Sequence, residues 1–227
     1  YTKRELFCNV YRIILFIIVY TEFIEGGIQM SIKFEESQTK ENLMRAFAGE
    51  SQARNRYTFA AGEAVKQKQH MIADVFLFTA NQEKEHAEIF YNHLESMAGE
   101  TIFIDGGYPV DLSNDVKTLL EYARHNEYEE YEDVYKNFAE VAKQEGFLKV
   151  SQDFKNIADI EKTHGDRFGQ LAKWIENNEL YSSTSSIQWM CLNCGFIFEG
   201  TQVPEKCPVC DHDQGYFIRL EYAPFMK

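Results

Sequence analysis

Positive charge is in short supply: 23 Lys and Arg face 36 Asp and Glu, giving a net charge of −13. That balance excludes nucleic acid as a partner, because phosphate binding needs a basic footprint. Part of the deficit is only formal, since glutamates clustered around divalent metal count as anionic until the metal neutralises them. A membrane-length apolar run is also missing. Ile13 to Tyr20, between Arg12 and Glu22, falls far short of the roughly 20 residues a membrane helix needs, so no membrane contact is expected. No small-residue cleavage site follows it, which argues against a secretory signal. No nucleotide-binding glycine fingerprint occurs, so a nicotinamide-linked step would belong to another protein. Cysteine is scarce outside one stretch. Of five, four lie within Cys191 to Cys210, and Cys8 stands alone with no role assigned.

What is present suffices for one domain of ordinary size plus a small one: 227 residues, 44% hydrophobic. The chain starts with Tyr1 instead of Met. Glu25-Gly26-Gly27, ahead of Met30, is what a purine-rich ribosome-binding sequence gives when translated. Met30 is therefore expected to be the true start, with residues 1–29 a translated leader or unstructured extension.

Apolar residues recur at helical period from Thr39 onward. The spacing predicts helices over about Lys40–Lys66, Met71–Met97, from a Ser113 or Asn114 cap to Glu145, and from beyond Gly146 to Asn177. Tight turns make the first pair and the last pair antiparallel. The middle connection, Ala98 to Asp111, has 14 residues and can stretch about 48 Å, enough to cross the length of a ferritin-like bundle. The expected organisation is an all-α four-helix ferritin-like bundle over 30–180, a polar serine-rich linker over Asn177–Ser186, and a small metal-binding domain over 187–227.

Each helix carries a glutamate where its apolar stripe should continue: Glu50, Glu83, Glu127 and Glu161. An unpaired buried carboxylate costs several kcal/mol, so four in register need a shared cationic partner. Glu83 and His86 form Glu-x-x-His, as do Glu161 and His164, and i,i+3 spacing puts each pair on one helix face. Glu50 to Glu83 is 33 residues and Glu127 to Glu161 is 34. All four stand 15–18 residues from a turn and therefore share one level. Two glutamates plus two Glu-x-x-His pairs are the pattern of di-iron and di-manganese carboxylate bundles. Glu130 follows Glu127 by three, near Tyr131 and Tyr135; it is either a fifth ligand or a solvated member of the acidic run Glu127–Asp133. His70, His93, His125 and His212 lack such support and read as surface or structural histidines.

Cys191-x-x-Cys194 and Cys207-x-x-Cys210 are separated by 12 residues. With Gly195 and Pro208 as turn formers, they form two knuckles around one tetrahedral metal, in keeping with a reducing cytoplasm. Spacing alone leaves zinc and iron equally open; a redox neighbour favours iron.

Ala46 to Tyr57, Glu83-Lys84-Glu85-His86-Ala87, Glu161 to His164 and Trp189 to Cys210 together closely resemble the rubrerythrin family, and the likeness runs from about Met30 to the end. The resemblance implies two non-haem irons held by Glu50, Glu83, Glu127, Glu130, Glu161 and His164, with Glu83 and Glu127 or Glu161 bridging. It implies that one iron exchanges Glu130 for His86 on reduction, that Tyr57 and Tyr135 bond the ligand carboxylates, and that Cys191, Cys194, Cys207 and Cys210 hold a rubredoxin-type iron, with zinc the alternative. The implied activity is reduction of hydrogen peroxide to water in oxidative-stress defence. Electrons would come from a separate NAD(P)H-dependent reductase or a rubredoxin, in a homodimer where one subunit's C-terminal domain serves the other's bundle. The rivals are a ferroxidase or iron-handling role, and a non-catalytic electron carrier.

Overall fold

The computed structural model describes residues 32–224. The leader expectation for 1–29 lies outside the described residues. Helix α1 (Gln38–Lys66) opens on Ser37, whose Oγ accepts from Lys40 N. Glu145 adds a second, long-range cap: its carboxylate accepts from Gln38 N at 2.9 Å and Thr39 N at 2.8 Å. An anion there complements the helix dipole and fastens the far hairpin to the start of α1. Lys68, at φ 57°, turns the chain into α2 (His70–Asn92). The crossover then leads to α3 (Val116–Glu129), a single π-turn (Glu130–Val134) and α4 (Tyr135–Gln144). Gly146, at φ 91°, returns it into α5 (Leu148–Glu176). Among the described residues no helix is long and apolar enough to cross a membrane.

Three expectations need correction. The third helix is capped by Asp115, whose carboxylate accepts from Thr118 N at 2.9 Å, while Ser113 Oγ accepts from Asp115 N. The same helix is not continuous, because the π-turn interrupts it. Nor is the serine-rich stretch a free linker. Strand β1 (Ser182–Cys191) begins inside it and pairs antiparallel with β2 (Ile197–Gln202) and β3 (Phe217–Arg219), order β2-β1-β3. Ladder bonds use backbone groups, so polar side chains do not prevent pairing.

Two apolar clusters fill the bundle, one holding Tyr57, Phe76, Leu120 and Phe168, the other Leu43, Phe90, Tyr135 and Phe154. Each fully buried aromatic contributes about 1.5–3 kcal/mol. The first cluster also takes in Leu180, Ile218 and Ala223, so the small sheet docks on the bundle. His70 stacks on Tyr216 at 4.1 Å, and Arg219 lies over Trp174 at 4.2 Å.

Candidate metal centres

Between the apolar clusters, α1, α2, α3 and α5 bring Glu50, Glu83, Glu127 and Glu161 together, each almost wholly buried. His86 and His164 join them from one turn beyond Glu83 and Glu161. Two four-residue groups result, Glu50-Glu83-His86-Glu161 and Glu83-Glu127-Glu161-His164. They share Glu83 and Glu161. His86 Nδ1 lies 3.1 Å from Glu83 Oε2 and 2.9 Å from Glu161 Oε1; His164 Nδ1 lies 3.1 Å from Glu83 Oε1 and 2.8 Å from Glu161 Oε2. Each shared carboxylate thus turns one oxygen to each imidazole. Glu127 falls in one group only.

The surroundings orient these groups. The Tyr135 hydroxyl donates to Glu50 Oε1 at 2.5 Å and the Tyr57 hydroxyl donates to Glu127 Oε1. His164 Nε2 meets Gln82 Oε1 at 3.1 Å. The amide oxygen can only accept, so Nε2 carries a proton, and Nδ1 is the nitrogen that would present a lone pair to a bound metal. Gln82 had no sequence signal beyond adjacency to Glu83.

Electrostatics show what the cluster lacks. Burial pushes Glu83 up, but the two imidazoles against it outweigh burial and hold it down at about 2. Burial, then the charge of Glu83, pushes Glu127 up to about 8. Burial and the surrounding carboxylates push Glu50 well above the usual range. Burial opposes charging of the imidazoles, yet the glutamates around them raise His86 to about 10 and His164 to about 12. Even so, the ion-pair approaches of Glu83 Oε1, both Glu161 oxygens and His164 Nδ1 fall short of hydrogen-bond geometry, and Glu50 Oε2 and Glu127 Oε2 make no hydrogen bond either. Native interiors leave very few such atoms. Convergent carboxylate oxygens with two imidazoles fit a pair of iron-type cations.

Glu130 stands outside both four-residue groups. It opens the π-turn, half-buried, on the wall of a cavity of about 210 Å³ under the crossover. Burial, then Glu127, pushes its carboxyl well above the usual range. His70 and His93 prove structural, the second through a 2.7 Å bond to Asp153.

The four cysteines converge in the small domain with a two-fold repeat. Cys191 N donates to Phe196 O and Gly195 N to Cys191 O; Cys207 N donates to His212 O and Asp211 N to Cys207 O. Each knuckle ends on a left-handed residue, Gly195 at φ 77° and Asp211 at φ 59°. Cys191 and Cys210 sulfurs are 3.7 Å apart, as are those of Cys194 and Cys207. A tetrahedron of metal–sulfur bonds near 2.3 Å has edges of roughly 3.8 Å, so the thiolates fit one metal. Burial pushes the Cys191 thiol up to about 12, whereas the His212 amide holds Cys210 down at about 6.

Residues 41–172 match the rubrerythrin family model, and residues 189–218 match the model described as rubrerythrin, rubredoxin-like domain. The chain is 45% identical over 182 residues to a rubrerythrin of Clostridium perfringens, covering 80% of this chain and 93% of that one. It is 40% identical over 194 residues to a rubrerythrin of Porphyromonas gingivalis, covering 86% and 96%. Among solved structures it resembles a partially reduced state of nigerythrin, with TM-score 0.55 and 27% identity over 85% of this chain and 95% of that one. With a bundle whose carboxylates and imidazoles form the di-iron site and a sheet whose cysteines form the rubredoxin-like site, this chain belongs to the rubrerythrin family.

Proposed function

We propose that this chain is a peroxidase that reduces hydrogen peroxide to water, drawing electrons through its four-cysteine site from a separate NAD(P)H-dependent reductase or a rubredoxin. The observation that carries this reading is the pair of four-residue groups sharing Glu83 and Glu161, in one chain with a tetrathiolate site. When bound, two ferrous ions supply two electrons and Lewis acidity for the balanced reaction H2O2 + 2 H+ + 2 e− → 2 H2O.

The protein's own residues do the rest. Glu83 and Glu161 would hold both metal positions, with Glu50 and His86 completing one and Glu127 and His164 the other. Tyr135 and Tyr57 keep Glu50 and Glu127 in orientation. The apolar clusters on both sides exclude water. On this reading Glu130, at the cavity wall, would be the carboxyl that exchanges with His86 as the site changes redox state, and the π-turn it opens would give the helix slack for that movement.

The reading includes a homodimer in which one subunit's four-cysteine site serves the other's bundle. Tyr216 meets His70, and Glu83 lies 13 residues further along α2, about 20 Å along the axis. A reducing cytoplasm would keep the thiolates available.

Stopped-flow oxidation of the anaerobically reduced, iron-loaded protein tests the reading. Oxidation by hydrogen peroxide should far outrun oxidation by dioxygen, and Cys207→Ser should stop turnover while sparing the first two-electron event. Faster oxidation by dioxygen would instead favour a ferroxidase.

A further inference from the structure

We propose that crossover residues 105–111 form a size filter over the entrance to the helical metal site, with Tyr108 as its specificity-determining residue and Asp111 as the positioning residue that seats it. Resting on the peroxidase reading, the inference is that small hydroperoxides pass and those with bulky organic groups do not.

The cavity beneath the crossover is lined by Tyr108 and Pro109 from the crossover and by Gly49, Glu130, Val134 and Tyr135 from the helices. Its inner side reaches the site directly: Gly49 adjoins Glu50, and Tyr135 bonds Glu50. Tyr108 therefore lines the approach to the site from this side. The Tyr108 hydroxyl donates to Arg45 O at 3.0 Å, and its ring rests 3.7 Å from where a Cβ on Gly49 would stand. Gly106 folds over the same ring so closely that a Cβ there would stand 3.2 Å from it. Tyr108 is thus held from both sides.

Two attachments hold the segment down. Arg45 donates to Asp105 O at 3.0 Å and to Asp105 Oδ1 at 2.6 Å, but Asp105 is exposed and that pair is weak. At the other end Asp111 is largely shielded. Its Oδ2 accepts from Asn126 Nδ2 at 2.7 Å and pairs with the Arg56 guanidinium, whose Nε donates to Gln52 at 2.6 Å. Releasing one partner of a shielded pair leaves the other charge stranded, so this is the attachment that decides whether the segment stays seated. Arg56 adjoins Tyr57 and Asn126 adjoins Glu127, so the crossover is seated beside the Tyr57–Glu127 bond of the site.

The test compares full-length wild-type, Tyr108→Ala and Asp111→Ala proteins, loaded with iron, in three measurements. Hydrogen exchange should rise in the 104–112 peptides of Asp111→Ala. Reduced wild type should react at least about 100-fold faster with hydrogen peroxide than with cumene hydroperoxide, and both variants should lower that ratio by about tenfold or more. Association of azide and of the bulky 4-nitrocatechol with the oxidised proteins, followed by absorbance, should show the same narrowing without any peroxide. Wild type that takes cumene hydroperoxide or 4-nitrocatechol as readily as the small ligand overturns the filter, as do ratios unchanged in Tyr108→Ala, whose side chain is partly exposed and whose loss the fold should tolerate. No added exchange in Asp111→Ala overturns the seating role given to Asp111. Wild type inert to both hydroperoxides would defeat the peroxidase reading, and the azide and 4-nitrocatechol rates would still decide the filter.

Discussion

Imidazoles His86 and His164 lie with centroids 5.8 Å apart and planes 17° from parallel, and Glu83 sets one carboxylate oxygen 3.1 Å from the Nδ1 of each. The two positions of the site are therefore coupled through single side chains. Glu83→Ala should eliminate paired binding and weaken what remains by more than about 100-fold, beyond the 10–100-fold usual for loss of an outer partner. Glu127→Ala, confined to one group, should weaken one position and leave the other. Anaerobic ferrous titrations of both variants check this; equal effects would contradict the sharing.

Removing the Tyr135 hydroxyl tests orientation separately from charge. Tyr135→Phe keeps the ring in its apolar cluster but deletes the bond to Glu50. The fold should survive, with iron affinity at the Glu50 position down about 10–100-fold. Isothermal titration against Tyr57→Phe should place the loss in the other position for that variant.

The metal-free protein should be most stable in mild acid. Glu50, Glu127, Glu130, His86 and His164 all hold protons more tightly folded than unfolded. Their contribution to stability is full below the unfolded values and declines as pH rises, through about 8 for Glu127, about 10 for His86 and about 12 for His164. Glu83, held at about 2, works in the opposite sense: its contribution is present above 4.5 and fades as pH falls towards 2. Metal loading displaces the protons, so metal affinity should rise with pH. Thermal melts at pH 5 and pH 9 should show the metal-free Tm falling between them; a rise would contradict this account.

Gly215 reports on the docked sheet. A Cβ there would stand 1.8 Å from Lys68 O, a backbone atom that cannot swing aside. Gly215→Ala should destabilise docking by about 1–3 kcal/mol while leaving the four-cysteine site intact. The check is earlier hydrogen exchange at Lys68–His70 with an unchanged tetrathiolate absorption spectrum; unchanged exchange would count against the docking contact.

The glutamates, both Glu-x-x-His pairs and the cysteine knuckles were legible in the sequence because each depends on local spacing and on the cost of burying charge. What escaped depends on partners far along the chain. The cap Glu145 provides to α1 and the pairing of Ser182 with Gln202 are contacts that local pattern does not encode. The left-handed Asp211 was hidden because the knuckle had no glycine at that place. The π-turn did leave a trace. Glu50 stands 18 residues before Lys68 and Glu127 stands 19 before Gly146, while Glu83 and Glu161 both lie 15 beyond their turns. The single extra residue sits on the arm that contains the π-turn, which accommodates one extra residue without breaking the helix.

Mössbauer spectroscopy of the oxidised, 57Fe-loaded protein tests the shared-carboxylate pair most directly. Glu83 and Glu161 bridging two positions predict two spin-coupled ferric ions for each tetrathiolate iron. Magnetically isolated irons in the bundle, or only one there per chain, would contradict it.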